Sequence, residues 1–187
     1  MSISRRVWSV ACVFLALAPV LANSRAGQGP PLPKPGPEHE LLKADVGTWE
    51  ATVEVSMAPG APPLTSKGVE VNRLGCGGLC LITEFKGEMM GGEFLGHGVM
   101  TWDVVKKKYV GSWTDSMSGG LAITEGTFEP GAKRFTGTME GPDAAGNIMK
   151  SRSVVEYTKD GRVMTAYATG PDGKEMQVLR ITYKRRA

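Results

Sequence analysis

From residue 48 onward, apolar and polar positions alternate along the chain. The apolar positions of the first segment are Trp49, Ala51, Val53, Val55 and Met57, with polar residues between them. This period of two predicts a strand with one buried face and one hydrated face. Segments of similar strand character follow at 67–74, 79–87, 93–103, 108–115, 121–128, 134–140, 148–158, 163–169 and 175–184. We therefore predict an all-β protein of about ten short strands.

Short turn sequences separate the predicted strands. Gly-Gly, Pro-Gly or Asp-Gly dipeptides stand at 77–78, 91–92, 119–120, 130–131, 160–161 and 172–173. Such residues adopt the backbone conformations that tight turns need, and connections this short join only antiparallel neighbours. We predict an antiparallel up-and-down closed barrel, because closure removes the free edges of the sheet. A two-sheet β-sandwich is the alternative.

The chain before the first strand is organised differently. Residues 23–37 are rich in proline and glycine and predict an extended linker. Residues 38–46 predict a short helix that carries Leu41, Leu42 and Val46 on one side and ends at Gly47. The barrel domain is therefore predicted to span residues 38–187.

Residues 1–22 have the order of features that a secretory signal peptide shows. Arg5 and Arg6 precede an apolar run that ends in small residues at Ala22. The run is shorter than the roughly 20 residues that a bilayer-spanning helix needs, although an uncleaved anchor or cleavage after Ala26 are alternatives. We predict a bacterial protein exported to the periplasm or the medium, with no integral membrane segment after cleavage. The route is Sec or, since the arginine pair resembles a twin-arginine signal, the twin-arginine pathway.

The charge of the chain argues against nucleic acid as a partner. The net charge of +3 falls to +1 once Arg5 and Arg6 are removed with the signal peptide. The basic run at 106–108 suits a hairpin turn, and the basic run at 184–186 suits a solvated tail. The sequence therefore offers no row of basic residues suited to the phosphate backbone of a nucleic acid.

Two cysteines, Cys76 and Cys80, remain in the predicted mature chain, and Cys12 belongs to the signal peptide. A disulfide between Cys76 and Cys80 suits an oxidising compartment and is our prediction. Two free buried thiols are the alternative. A metal site is not predicted, because two thiols are too few ligands and both histidines are distant in sequence.

The start of the first strand resembles that of the calycin barrels, the group that includes lipocalins and fatty-acid-binding proteins. The resemblance lies in Gly47-Thr48-Trp49, which follows a short helix and opens the meander of strands. It implies that a basic residue near the last strand covers Trp49 and closes the barrel end. Lys184 or Arg185 holds that place in this chain.

A closer resemblance covers residues 37–186. Its segments are Glu38-His39-Glu40-Leu41-Leu42, Gly47-Thr48-Trp49, Ser66-Lys67-Gly68, Phe85-Lys86-Gly87, Gly96-His97-Gly98, Trp113-Thr114-Asp115-Ser116-Met117, Gly170-Pro171-Asp172-Gly173-Lys174-Glu175 and Ile181-Thr182-Tyr183. They are similar to a bacterial family known as domain of unknown function number fifteen-seventy-nine. The chain departs from the family pattern at Trp102-Asp103 and in having Cys76 and Cys80. The resemblance implies a calycin-like barrel and no particular activity.

Six residues are candidates for binding a ligand inside the barrel. The segment Tyr109-Val110-Gly111-Ser112-Trp113-Thr114-Asp115 places large aromatic rings and one carboxylate on a single strand face. If such faces point inward, they form an apolar pocket with a few orienting polar groups. The candidates are His97, Trp102, Trp113, Asp115, Arg152 and Tyr167. Core packing, turn capping or exposure to water are their alternative roles, because a register slip of one residue reverses every side chain.

These observations favour a binding module that holds a small hydrophobic or amphipathic molecule. A structural or interaction protein of the envelope with a filled barrel is one alternative. Haem binding through His97, or a lyase or isomerase with Asp115 or His97 as base, is another. The spacing of the residues suggests no Ser-His-Asp set and no carboxylate pair, so we predict no catalytic residue and no cofactor. The sequence identifies neither the ligand nor the oligomeric state.

Overall fold

The structure is a computed structural model that describes residues 31–58, 60–143, 145–170 and 173–186. The predicted signal peptide and the first part of the predicted linker, residues 1–30, lie outside the described residues. The barrel unit begins at Lys34. In the described part of the chain, no helix has the length and hydropathy needed to cross a bilayer.

One short helix precedes ten strands. A 3₁₀ turn, Pro37–His39, leads into helix α1, Glu40–Asp45, so the predicted helix is present but its first turn is 3₁₀. The strands are β1 Gly47–Val55, β2 Leu64–Gly75, β3 Cys80–Met89, β4 Gly92–Asp103, β5 Lys108–Asp115, β6 Ala122–Glu129, β7 Arg134–Pro142, β8 Ile148–Tyr157, β9 Gly161–Thr169 and β10 Glu175–Arg185. All ten predicted strands are confirmed.

The strands form a closed antiparallel barrel in which each strand pairs with its neighbours in the sequence. The first and last strands complete it, with β1 pairing β10 from Trp49 opposite Arg185 to Val55 opposite Leu179. A bulge between Gln177 and Leu179 interrupts the pairing of β10 with β9. The predicted up-and-down barrel is confirmed and the two-sheet sandwich is wrong.

The two ends of the barrel are built differently. We call "closed end" the end formed by the hairpins after β2, β4, β6 and β8, which α1 covers. Leu41 and Leu42 of α1 are buried there against Leu81, Tyr109 and Phe135. The "open end" is formed by the hairpins after β1, β3, β5, β7 and β9, and no helix of the described residues covers it.

Two apolar clusters occupy the inside of the barrel. The first lies mainly on β1, β3, β4 and β10, and its buried members are Trp49, Ala51, Val53, Phe85, Phe94, Ile181 and Tyr183. The second lies under α1 and adds Trp102, Phe128, Val155 and Tyr157 as partly buried members. Edge-to-face contacts order its rings, with centroids 5.1 Å apart for Trp102 and Tyr109 and 6.0 Å for Tyr109 and Phe135.

Glycines on the inner face make room for these rings. A Cβ atom at Gly126 would lie 2.3 Å from the Phe135 ring, and one at Gly96 would lie 2.3 Å from the Trp113 ring. A ring that lies flat over a strand glycine fills the space of the missing side chain and covers its backbone. The inner face is therefore already packed wherever a ring lies over a glycine.

Candidate ligand-binding site

The barrel separates the six predicted ligand-binding residues into two groups. Trp102, Trp113 and Asp115 lie on the inner face, in the alternation that also places buried Tyr109 inward. His97, Arg152 and Tyr167 lie on the outer face, since their strand neighbours Gly96, Ser153 and Ala166 point inward. We expected these three residues to point into the barrel, and the structure places them outside it. Sequence alternation alone did not fix which face points inward.

Arg152 and Tyr167 nevertheless come together on the outside of the barrel. The Arg152 guanidinium stacks on the Tyr167 ring at 4.4 Å and binds both Glu175 carboxylate oxygens, at 2.9 and 2.7 Å. They line an open groove of about 620 Å³. The other charges of this groove are also paired, Lys150 with Glu140 and Glu125 with Lys106, so its ion pairs need no ligand for neutralisation.

Asp115 serves the turn that follows β5. Its Oδ2 accepts a hydrogen bond from Trp113 Nε1 at 2.9 Å, and its Oδ1 accepts from the backbone N–H groups of Met117 and Ser118 at 2.8 Å. Both oxygens are therefore engaged, and they lock the Trp113 ring against the inner face. This is the turn-capping role that the sequence left open.

Sequence reasoning missed a buried polar cluster at the closed end. This closed-end network comprises Asp45 of α1, Glu70 and Asn72 of β2, Tyr157 of β8, Arg162 of β9 and Tyr183 of β10. Arg162 is its centre, with its guanidinium between the Trp49 ring at 4.4 Å and the Tyr183 ring at 4.3 Å. It pairs with the Glu70 carboxylate and lies 3.4 Å from Asp45 Oδ1.

Hydrogen bonds tie α1 to this network through Asp45. Trp49 Nε1 and Asn72 Nδ2 donate to the Asp45 carbonyl at 2.8 and 3.1 Å, and the Tyr157 hydroxyl donates to its carboxylate at 3.1 Å. Burial raises the pKa of Asp45, although the nearby Arg162 opposes this effect. Burial also raises the pKa of Tyr157 and Tyr183 well above the ordinary value, so both phenols stay protonated and can donate.

A weak sequence signal for Arg162 was present. Arg162 alternates in phase with Met164 and Ala166, both small or apolar residues of the inner face of β9. On β2 the signal is reversed, because Val69 and Val71 face outward while Glu70 and Asn72 face inward. A period of two therefore identifies the strand there but suggests the wrong buried face.

Arg185 closes the barrel end on the other side of Trp49. Its guanidinium lies 4.2 Å from the Trp49 ring and donates to the carbonyls of Ala44 and Val46 at 2.9 and 2.8 Å. Arg162 takes the inner face of the same ring, so the indole separates the two cations. Lys184, the other predicted candidate, is exposed and sits opposite Glu50 on the outer face.

Between the closed end and the open end, the inner face carries small residues beside the rings of Trp113 and Phe135. We call this space the hollow, and its inward-facing residues include Thr83, Thr124, Ser151, Ser153 and Ala166. Thr83, Thr124, Ser151 and Ser153 remain partly exposed although they point to the barrel axis. Side chains in a completely filled interior would be excluded from solvent, so the hollow is open to solvent.

The open end exposes large apolar side chains. Seven of them, between 40% and 64% exposed, lie in or beside four of its five hairpins, and together they form the apolar rim: Met57, Leu64, Met90, Met117, Leu121, Ile148 and Met149. Exposed apolar residues also occur elsewhere, as at Val104 and Val105 in a closed-end hairpin, but seven of them are grouped around the open end.

The predicted disulfide is not formed. Cys76 and Cys80 are free thiols with their Sγ atoms 3.0 Å apart, beyond the roughly 2.05 Å of a covalent sulfur–sulfur bond. Cys76 is exposed in the turn after β2, and Cys80 is buried at the start of β3. Burial and the contact with Cys76 raise the pKa of the Cys80 thiol to about 11. In the part of the chain that the structure describes, no group of three or more acidic, cysteine or histidine residues is placed to hold a metal ion.

Comparison with known proteins supports the fold and assigns no activity. The profile of the family described as "Protein of unknown function (DUF1579)" matches residues 34–185. The crystal structure of Rv2717c from M. tuberculosis is similar, with a TM-score of 0.60 and 13% sequence identity over 81% of this chain and 99% of that chain. No curated protein sequence matches the chain significantly. At this identity the structural likeness shows a shared barrel fold.

Proposed function

Since the chain belongs to the DUF1579 family, whose function is unknown, we infer its role from the geometry of the barrel. We propose that the protein binds a small, mainly apolar molecule in the hollow. The ligand enters through the apolar rim. We also propose that the protein is exported, on the strength of the signal-like residues 1–22.

The observation that carries this proposal is the difference between the two barrel ends. Helix α1 and a buried polar cluster block the closed end, whereas the open end has a rim of exposed apolar side chains. Solvent-accessible small residues continue from this rim toward the barrel axis. An apolar molecule that moved from the rim into the hollow would bury its own surface and part of the rim, at about 25 cal/mol for each Å².

The side chains of the rim suit a binding role with loose shape selection. Four of the seven are methionines, Met57, Met90, Met117 and Met149. Methionine has three rotatable bonds and a polarisable sulfur, so a methionine surface adapts to ligands of different shape. We therefore expect the rim to admit a class of apolar molecules.

The alternative functions have less support from the geometry. His97 is exposed on the outer face, and no inward-facing strand position among the described residues is a histidine. Both Asp115 oxygens already accept hydrogen bonds, which lowers its availability as a base. A filled barrel that serves only as an interaction scaffold does not explain the open hollow.

Native mass spectrometry of protein purified from its own source tests the proposal. We expect an extra mass that disappears on denaturation. The matched variants are Ser153→Trp, which places an indole in the hollow, and Val154→Trp, which places the same indole on the outer face of the same strand. Ser153→Trp should abolish the extra mass and Val154→Trp should keep it.

A neutral apolar dye, N-phenyl-1-naphthylamine, gives the same test in solution. Its fluorescence should rise with the native protein and with Val154→Trp, and stay low with Ser153→Trp. Equal dye binding by both variants would place the site outside the hollow and contradict the proposal. Absence of both dye binding and bound mass in the native protein would contradict it as well.

A further inference from the structure

We propose that the closed-end network forms the inner wall of the binding site and selects ligands with an uncharged hydroxyl head group over ligands with a carboxylate. This proposal rests on the proposed function, since it requires a ligand in the hollow. It adds the chemical class of the head group. The evidence is a set of buried polar atoms without partners, together with the charge balance around them.

The first observation concerns the Asn72 amide, which is 3% exposed. Its Nδ2 donates to Glu70 Oε1 at 2.7 Å and to the Asp45 carbonyl at 3.1 Å. Both partners are acceptors, so they fix the orientation of the amide. The Asn72 Oδ1 atom is left buried without a donor, which is unfavourable because the atom has lost its hydrogen bonds to water without replacing them.

The second observation concerns the Arg162 guanidinium. Its Nη2 atom bonds to Glu70 Oε1, the same oxygen that Asn72 uses, while its Nη1 atom makes no hydrogen bond and faces Asp45 Oδ1, which also lacks a hydrogen bond, at 3.4 Å. The Nη1 donor of Arg162 and the Oδ1 acceptor of Asn72, neither of which makes a hydrogen bond, therefore belong to residues that share the Glu70 Oε1 atom. A hydroxyl group donates one hydrogen bond and accepts others, so a single hydroxyl matches both needs.

The charge balance disfavours a carboxylate at the same place. Glu70 and Asp45 supply two carboxyl groups around one guanidinium, that of Arg162. The second nearby cation, Arg185, lies beyond the Trp49 ring and is bound to two backbone carbonyls. A ligand carboxylate would add a further negative charge and has no proton to give to Asn72 Oδ1.

The hollow extends to this cluster along β3. Thr83 faces inward directly opposite Asn72 in the β2–β3 register, and the Trp113 ring, which lies over Gly98 on the other side of Thr83, forms the wall of the hollow there. Thr83 is partly exposed, so the accessible space reaches the residue next to the unpartnered amide oxygen. A linear apolar molecule can then lie along the hollow with its hydroxyl at the closed end.

Displacement of N-phenyl-1-naphthylamine by a matched pair of ligands, lauryl alcohol and laurate, tests the selection. Near neutral pH laurate is ionised, so the two differ mainly in the charge of the head group. We expect lauryl alcohol to displace the dye at a concentration at least about tenfold lower than laurate, since laurate would bury an additional negative charge and offers no proton to Asn72 Oδ1.

Three variants connect this result to the network. Asn72→Leu removes the acceptor, and should weaken lauryl alcohol about tenfold while leaving laurate unchanged. Arg73→Leu is the control, because Arg73 is exposed on the outer face of the same strand. If Asn72→Leu does not fold, Glu70→Gln is used instead. Removal of one negative charge from the network should reduce the difference between the concentrations of lauryl alcohol and laurate that displace the dye.

Each outcome has a definite meaning. If both ligands displace the dye equally, or Asn72→Leu weakens both alike, the unpartnered atoms bind water only and the selection is overturned while ligand binding stands. The same holds if laurate is preferred. If neither ligand displaces the dye and Ser153→Trp does not affect dye binding, the proposed function fails and this inference fails with it.

Discussion

The closed end and the hollow are built from the same ten strands but carry opposite kinds of side chain. At the closed end the inner face holds aromatic rings, an arginine and the Glu70 carboxyl group in direct contact, and Asp45 of α1 lies beside them. A few residues further along the same strands, the inner face holds Ser, Ala, Thr and Gly. The order of the strands determines the wall of the barrel, and the size of the inward side chains determines where the interior is packed.

This difference teaches where stability and function can be separated in such a barrel. Rings, ion pairs and α1 anchor one end, so substitutions there should act mainly on the free energy of unfolding. The hollow contributes few packed contacts, so substitutions there should act mainly on binding.

Replacement of the central cation of the network should be the most damaging change. Arg162→Met leaves Glu70 and Asp45 buried without their countercharge, and we expect a loss of about 3–5 kcal/mol in the free energy of unfolding. Urea unfolding followed by tryptophan fluorescence measures it. Arg180→Met is the control, since the Arg180–Glu54 pair at 3.6 Å is solvent-accessible and should contribute little. Equal losses for both variants would contradict the central role of Arg162.

Added volume should be costly over a ring and tolerated in the hollow. A Cβ at Gly126 would lie 2.3 Å from Phe135 and 2.6 Å from the Thr136 carbonyl oxygen, so Gly126→Ala should cost about 1–3 kcal/mol. Ser153→Leu adds more volume in the hollow, and should cost less than about 1 kcal/mol. Thermal unfolding of the two variants compares these effects. A larger loss for Ser153→Leu would mean that the barrel is filled at that level.

Asp45 should give the network a dependence on pH. Because burial raises its pKa from the ordinary 3.8, the folded state binds a proton more tightly than the unfolded state. The free energy of unfolding therefore falls as the pH rises from about 3.8 through the raised pKa, and is constant above it. Relative to Asp45→Asn, which has no such proton, the native chain should lose stability between acidic and neutral pH. Urea unfolding of both proteins at several pH values measures their free energies of unfolding. If the native chain gained stability relative to Asp45→Asn as the pH rose, the prediction would be contradicted.

The fold could be predicted from the sequence because its determinants are local. Alternation of apolar and polar residues, together with glycine-containing turns such as Gly119-Gly120, located all ten strands and their antiparallel order. The position of Trp49 after a short helix indicated the closed end, and Arg185 was one of two residues proposed to cover it. These signals depend on residues that are close in sequence and on positions, such as tight turns, where few residue types are accepted.

The site could be predicted only in part, because its determinants join distant residues. Glu70 and Arg162 resemble surface charges in the sequence, and only the barrel brings together two residues 92 positions apart. Alternation also does not say which face of a strand points inward, so Arg152 and Tyr167 were expected inside. The free thiols of Cys76 and Cys80 show the same limit, since spacing cannot fix a distance between sulfur atoms.

The strand order also has a consequence for how the chain reaches its native state. Nine of the ten strand pairings join neighbours in the sequence, and the pairing of β1 with β10 alone spans the whole domain. Local hairpins close quickly, whereas the last pairing requires a long loop to be closed. Until β10 arrives, β1 and β9 are exposed edges that can pair with other chains. Pairing of the last strand is thus the step that removes the exposed strand edges and, with them, the risk of aggregation.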